Sequence, residues 1–118
     1  MRKLIAIAAL TFACAAALVP LATGAPAAQT VRVTASSYKL TLSARPKAGT
    51  VRFVVRNVSR DEHDFWIRGG GRTSHTAVLA PGRSATITLK LKRGSTYRFW
   101  CSLSDHAQEG MLGSFRAR

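Results

Sequence analysis

The chain has 118 residues, 47% of them hydrophobic, and 18 lysines and arginines against 5 aspartates and glutamates give it a formal charge of +13. That length holds one domain, the charge rules out an acidic solvating protein, and two cysteines allow at most one disulfide and neither a four-thiolate zinc site nor an iron-sulfur cluster. A basic balance of this size first suggests nucleic acid or an anionic membrane surface as partner, and where the charges sit decides whether that holds.

Arg2 and Lys3 precede Leu4 to Ala22, an uncharged run rich in alanine, leucine and isoleucine. This is the charged and then apolar pattern of a secretory signal peptide. Small residues at Ala22, Gly24, Ala25 and Ala27 offer cleavage after Gly24 or Ala27. Ala27 is favoured, because a cut after Ala25 would leave Pro26 at the new terminus. Residues 1–27 are therefore expected to be the signal peptide and residues 28–118 the exported domain, periplasmic or extracellular. An uncleaved segment would instead hold the domain at a membrane. Cys14 leaves with the signal, so the exported domain keeps Cys101 alone and has no internal disulfide. Cys101 is then either a small buried apolar residue or a ligand.

From Thr30 onward apolar and polar residues alternate with period two, the signature of half-buried strands. Val31, Val33 and Ala35 form the first set, Leu40 and Leu42 the second, Val51, Phe53 and Val55 the third. His63 to Ile67, Ala85 to Leu91, Thr96 to Trp100 and Gly113 to Arg118 complete a prediction of about seven strands. Turn residues separate them at Pro46-Lys47-Ala48-Gly49, Gly69-Gly70-Gly71, Pro81-Gly82 and Arg93-Gly94. Short strands at this spacing predict an all-β antiparallel sandwich or small barrel. A domain so small buries a modest core, to which a bound metal would add stability.

One segment concentrates metal-binding chemistry: Cys101-Ser102-Leu103-Ser104-Asp105-His106-Ala107-Gln108-Glu109-Gly110-Met111. A thiolate, an imidazole and a thioether stand five residues apart. Along a strand the ends would be about 33 Å apart, and on a helix each would be rotated by about 140° from the last. A loop folded back on itself brings them together, and a metal ion is a physical reason for such a loop. Thiolate and imidazole suit zinc or copper, whereas a thioether is a soft donor that favours copper. A second imidazole must come from His63 or His75. His63 lies where a polar loop meets an apolar strand and has a stiff element behind it; His75 follows three glycines and reads as a solvated loop residue. Preorganised sites favour regular elements, so His63 is the expected ligand.

Asn57, His63-Asp64-Phe65, Leu79-Ala80-Pro81-Gly82, Gly94-Ser95-Thr96-Tyr97 and the Cys101, His106, Met111 loop together resemble the small cupredoxins, the plastocyanin- and azurin-like blue copper proteins. The resemblance runs in order from about Val31 to Phe115. It implies a Greek-key β-sandwich and one type 1 copper ion per chain, held by His63, Cys101 and His106 in a plane with Met111 as the long axial ligand. It also implies that Asn57 and the residue after the first histidine support the ligand loops. Those relatives usually carry asparagine at the latter position, where this chain has Asp64, so a carboxylate is expected to link the loops here.

A ligand set of this kind leaves no strongly open coordination position, and the chain has no other catalytic motif, so the expected activity is one-electron transfer rather than an enzymatic reaction. The resemblance places the electron port at His106, where redox partner proteins would make transient contact with a monomer. A copper chaperone or store is the alternative, although the chain has only Met1 and Met111 and no methionine-rich tract. A nucleic-acid-binding module is not the expected reading, because the basic residues fall at polar positions of alternating strands. They would suit an acidic partner or weak association with an anionic membrane surface. All five acids, Asp61, Glu62, Asp64, Asp105 and Glu109, lie in the two segments that supply the expected ligands.

Overall fold

Among the described residues eight strands follow one another: β1 (Gln29–Ser36), β2 (Lys39–Leu42), β3 (Gly49–Asn57), β4 (Trp66–Gly69), β5 (Arg72–His75), β6 (Ser84–Leu91), β7 (Thr96–Trp100) and β8 (Leu112–Arg116). The structure, a computed structural model, describes residues 7–19 and 28–118. Residues 7–19 carry no regular secondary structure, and among the described residues no helix is long and apolar enough to cross a membrane. The expected cleavage positions after Gly24 and Ala27 lie outside the described residues.

The strands form two four-stranded sheets, ordered β2-β1-β3-β6 and β5-β4-β7-β8. Only β1 and β3 run parallel, with Val31 opposite Phe53 and Val33 opposite Val55; every other pair is antiparallel. The alternation in the sequence becomes the inner face of each sheet. Val31, Val33 and Ala35 of β1 and Val51, Phe53 and Val55 of β3 are at most 1% exposed. The second sheet answers with Ile67, Tyr97 and Phe99, and aromatic rings tie the layers together. Phe65 lies 5.9 Å from both Phe53 and Phe99, and Tyr97 stacks on Phe115 at 5.5 Å. The Tyr97 hydroxyl accepts a hydrogen bond from the Lys92 amide at 2.8 Å, which satisfies its polar end inside the core.

An all-β sandwich is thus confirmed, with eight strands among the described residues rather than about seven. The addition is β5, which pairs with β4 along Trp66–Gly69 and contains His75. The strand expected from His63 begins only at Trp66, and His63 is held instead by an isolated bridge to Leu79. The strand expected from Gly113 to Arg118 runs from Leu112 to Arg116. Between β5 and β6, Ala80-Pro81-Gly82-Arg83 closes on a 3.0 Å hydrogen bond from the Arg83 amide to the Ala80 carbonyl. Gly82 there has φ +79°, as the third residue of a type II turn requires.

Candidate metal centre

Three chain segments deliver the candidate ligands to one end of the sandwich. Cys101 directly follows β7 and is 1% exposed, His63 precedes β4 and is fully buried, and Met111 directly precedes β8 and is also fully buried. The seven-residue stretch Ser104–Gly110 between them folds back as a series of turns. Its closure is built from backbone bonds: the Cys101 amide donates to the Met111 carbonyl at 3.0 Å, the Met111 amide to the His106 carbonyl at 3.0 Å and the His106 amide to the Leu103 carbonyl at 3.1 Å. Each ligand position on the loop is therefore tied to another by the main chain, which gives the folded-back loop a reason to persist in the absence of a bound ion.

The donor atoms of His63, Cys101 and His106 converge. Nδ1 of His63 lies 3.2 Å from Nδ1 of His106, and the Cys101 Sγ lies 3.9 Å from the first and 3.6 Å from the second. An ion with nitrogen at about 2.0 Å and sulfur at about 2.3 Å separates its ligands by roughly 3.3–3.5 Å for two nitrogens and 3.5–3.7 Å for nitrogen and sulfur, tetrahedral or trigonal. The observed triangle matches those edges to within a few tenths of an ångström, so its centre fits one transition-metal ion. His75 lies elsewhere, on β5, with its ring stacked on Trp66 at 4.1 Å.

Protonation in this environment suits coordination. Burial pushes the Cys101 thiol above its usual range, so it keeps its proton at neutral pH until an ion displaces it. Burial, and then the facing His106, push the His63 imidazole below its usual range, so it stands neutral with a lone pair to offer. The tautomer is set from outside. Ser37 Oγ donates to Asp61 Oδ2 at 2.8 Å and so must accept at 3.3 Å from His63 Nε2–H. That leaves Nδ1 unprotonated and facing the triangle.

Asp64 and Asn57 hold the surrounding loops. The Asp64 carboxylate is 4% exposed and accepts from the Ser102 amide at 2.7 Å, the Ser102 hydroxyl and the Trp66 indole N–H at 2.9 Å. It thereby joins the residue after His63 to the residue after Cys101. Asn57 is fully buried, and its side-chain amide donates to the Asp61 carbonyl at 2.7 Å and the Leu79 carbonyl at 2.9 Å. Its Oδ1 accepts from the amide and hydroxyl of Ser59. The Leu79 carbonyl also accepts from the His63 amide at 3.2 Å, so Asn57 reaches the histidine through that shared oxygen.

Ser37 and Tyr38 were not visible as site residues in the sequence. They sit in the β1–β2 turn, where the Tyr38 ring lies 4.9 Å from His106 and 6.4 Å from His63 and is 42% exposed. His106 is half-buried beside it. No spacing rule connects a turn at residue 37 to ligands at 63 and 106; only the sandwich brings them together.

No family model and no curated protein matches the chain. Among solved structures, the dithionite-reduced auracyanin of the photosynthetic bacterium Roseiflexus castenholzii superposes with a TM-score of 0.64 at 21% identity, covering 77% of this chain and 98% of that one. Auracyanin A, described as a "blue" copper protein of the green thermophilic photosynthetic bacterium Chloroflexus aurantiacus, gives 0.59 at 13% identity, with coverage of 75% and 98%. A multicopper oxidase gives 0.56 at 18% identity over 75% of this chain and 41% of its own. The chain has the fold of these proteins, the cupredoxin β-sandwich.

Proposed function

We propose that the chain is an exported mononuclear type 1 copper protein that carries single electrons between redox partners. The ligands in this reading are His63, Cys101, His106 and Met111. The observation that carries it is the buried donor triangle, a thiol and two imidazole nitrogens 3.2–3.9 Å apart, closed by a loop that begins at Cys101 and ends at the buried thioether of Met111. The fold shared with a protein described as a blue copper protein supports it. A copper ion held there supplies a reversible Cu(II)/Cu(I) couple.

The rest of the chemistry belongs to the chain. Cys101, His63 and Met111 sit where solvent does not reach. Ser37 and Asp61 orient the His63 ring, while Asp64 keeps the two ligand segments in register. A site tied down in this way changes little when its charge changes, which favours fast electron transfer. Three strong donors and one weak sulfur leave no place for a substrate, which supports a carrier rather than an enzyme. His106 and Tyr38 are the residues through which a partner protein would reach the centre, by transient contact with a monomer. Residues 1–27 act as the export signal in this account and place residues 28–118 in the periplasm or outside the cell, or on the membrane if the signal is retained.

Burial of Cys101 and His63 counts against copper delivery, which needs exchangeable ligands. Voltammetry of the copper-loaded protein separates the two roles. A carrier gives one reversible one-electron wave; tight Cu(I) binding without a reversible couple would establish delivery or storage instead.

A further inference from the structure

Side-chain alternation turns one face of each sheet to the core and one to solvent, and the two solvent faces differ in kind. On the first sheet the outward positions carry Arg32, Lys39, Arg52, Arg56 and Lys90 among serines, threonines and the half-buried Val54, without an aromatic residue. This is the composition of a hydrated surface. On the second sheet a row of directly paired residues crosses all four strands: His75 on β5, Trp66 on β4, Trp100 on β7 and Leu112 on β8. Both tryptophans of the chain occupy this outward row. His75 stacks on Trp66 at 4.1 Å and 10°, Trp66 lies 6.0 Å from Trp100 at 25°, and Leu112 is 58% exposed. The hydrogen bond from the Trp66 indole to buried Asp64 fixes the middle of the row.

The next row reads Thr73, Arg68, Arg98, Ser114. Arg68 and Arg98 are exposed and stand directly opposite one another, a like-charge pairing that is unfavourable on its own. With Trp100 they line a cleft of about 430 Å³. The chain places no acid nearby in its strands: all five lie between residues 61 and 64 or 105 and 109, outside β4, β5, β7 and β8. No acid of these strands therefore pairs with the two guanidinium groups, which leaves them available to a carboxylate of another molecule.

We propose that this face docks an acidic segment of a partner protein, with carboxylates taken by Arg68 and Arg98 and apolar side chains laid on the Trp66–Trp100 row. Tryptophan and arginine are the residues enriched where protein interfaces concentrate their binding, and lysine is depleted there. The outward cations of this face are all arginine: Arg68, Arg98 and Arg116. A planar guanidinium takes a carboxylate through two parallel hydrogen bonds. A lipid surface senses charge density and would be served as well by lysine, without a rigid aromatic row beside it. The inference is independent of the metal reading, and the protein tests it with or without copper.

The test uses octaglutamate as the probe, followed by the two indole N–H resonances and the Arg68 and Arg98 amides in nitrogen-15 NMR spectra. Saturable shifts concentrated at those groups are expected. The double variant Arg68→Gln/Arg98→Gln should weaken binding roughly fivefold or more, while Arg32→Gln/Arg52→Gln, which removes the same charge from the other sheet, should change it less than about twofold. Equal weakening by both double variants would reduce the effect to net charge and overturn the proposal, as would binding that leaves unmoved the indole of Trp100, which lines the cleft. Vesicles of phosphatidylglycerol that bind through Arg68 and Arg98 when octaglutamate does not would assign the face to lipid and overturn it as well.

Discussion

Replacement of Asp64 by asparagine keeps the size of the side chain and tests what the carboxylate does. Both Asp64 oxygens accept: Oδ1 from the Ser102 amide, Oδ2 from the Trp66 indole and the Ser102 hydroxyl. An asparagine oxygen can serve one side only. If it faces the Ser102 amide, its NH₂ group confronts the Trp66 N–H, and the Ser102 hydroxyl alone can turn round to accept. The variant loses a charge-assisted bond and leaves a donor without an acceptor at a site 4% exposed. Bonds to charged groups are worth about 1.5–3 kcal/mol and a buried orphan costs about 1–3; allowing for partial relaxation, Asp64→Asn should cost about 2–4 kcal/mol. For a domain of this size that is a fall in Tm of roughly 10–25 °C. Thermal and urea unfolding of the metal-free protein measures it. Trp66→Phe removes the opposing donor, so Asp64→Asn should cost about 1–2 kcal/mol less in that background. Additivity of the two substitutions, or an Asp64→Asn variant as stable as the parent, would refute the assignment of these bonds.

Two further outcomes follow from the site. Met111→Gln should keep the visible colour of the copper-loaded protein and lower its reduction potential, because a harder axial donor favours Cu(II); loss of copper on dialysis would show Met111 to be a strong ligand. Burial and the facing His106 hold His63 below its ordinary value of 6.5, so the unfolded chain binds the proton that the folded chain refuses. Stability of the metal-free protein is therefore complete above about pH 6.5 and declines as the pH falls below it, and melts at pH 7.5 and 5.5 should show the decline in the parent and a smaller one in His63→Gln.

The strands that were legible in the sequence are those with one face in the core. In β1, β3 and β6 every second residue is apolar because it must meet the opposite sheet. β5 escaped because Arg72–His75 is a polar edge strand: its pairing with β4 is made by the backbone, and nothing in its side chains has to alternate. The same polarity made His75 read as a loop residue, although its ring is stacked on a tryptophan. The folding back of the Cys101–Met111 segment could be inferred because only a closed loop reconciles its spacing, whereas the link through Asp64 was expected only from the family resemblance. Ser37 and Tyr38 could not, since a serine and a tyrosine in a hairpin turn look alike whether they face solvent or a histidine 26 residues away. The outward tryptophans were hidden for a related reason. Their register in the sheet is a property of partners on other strands, and a large aromatic residue in a strand is ordinarily assigned to the core.

If the buried thiol and its two imidazole neighbours hold one copper ion, addition of Cu(II) to residues 28–118 will show it. The expected result is an intense visible thiolate-to-copper absorption that saturates at one ion per chain and is absent from Cys101→Ser. A colourless protein, or an absorption that survives the loss of the thiol, would contradict it.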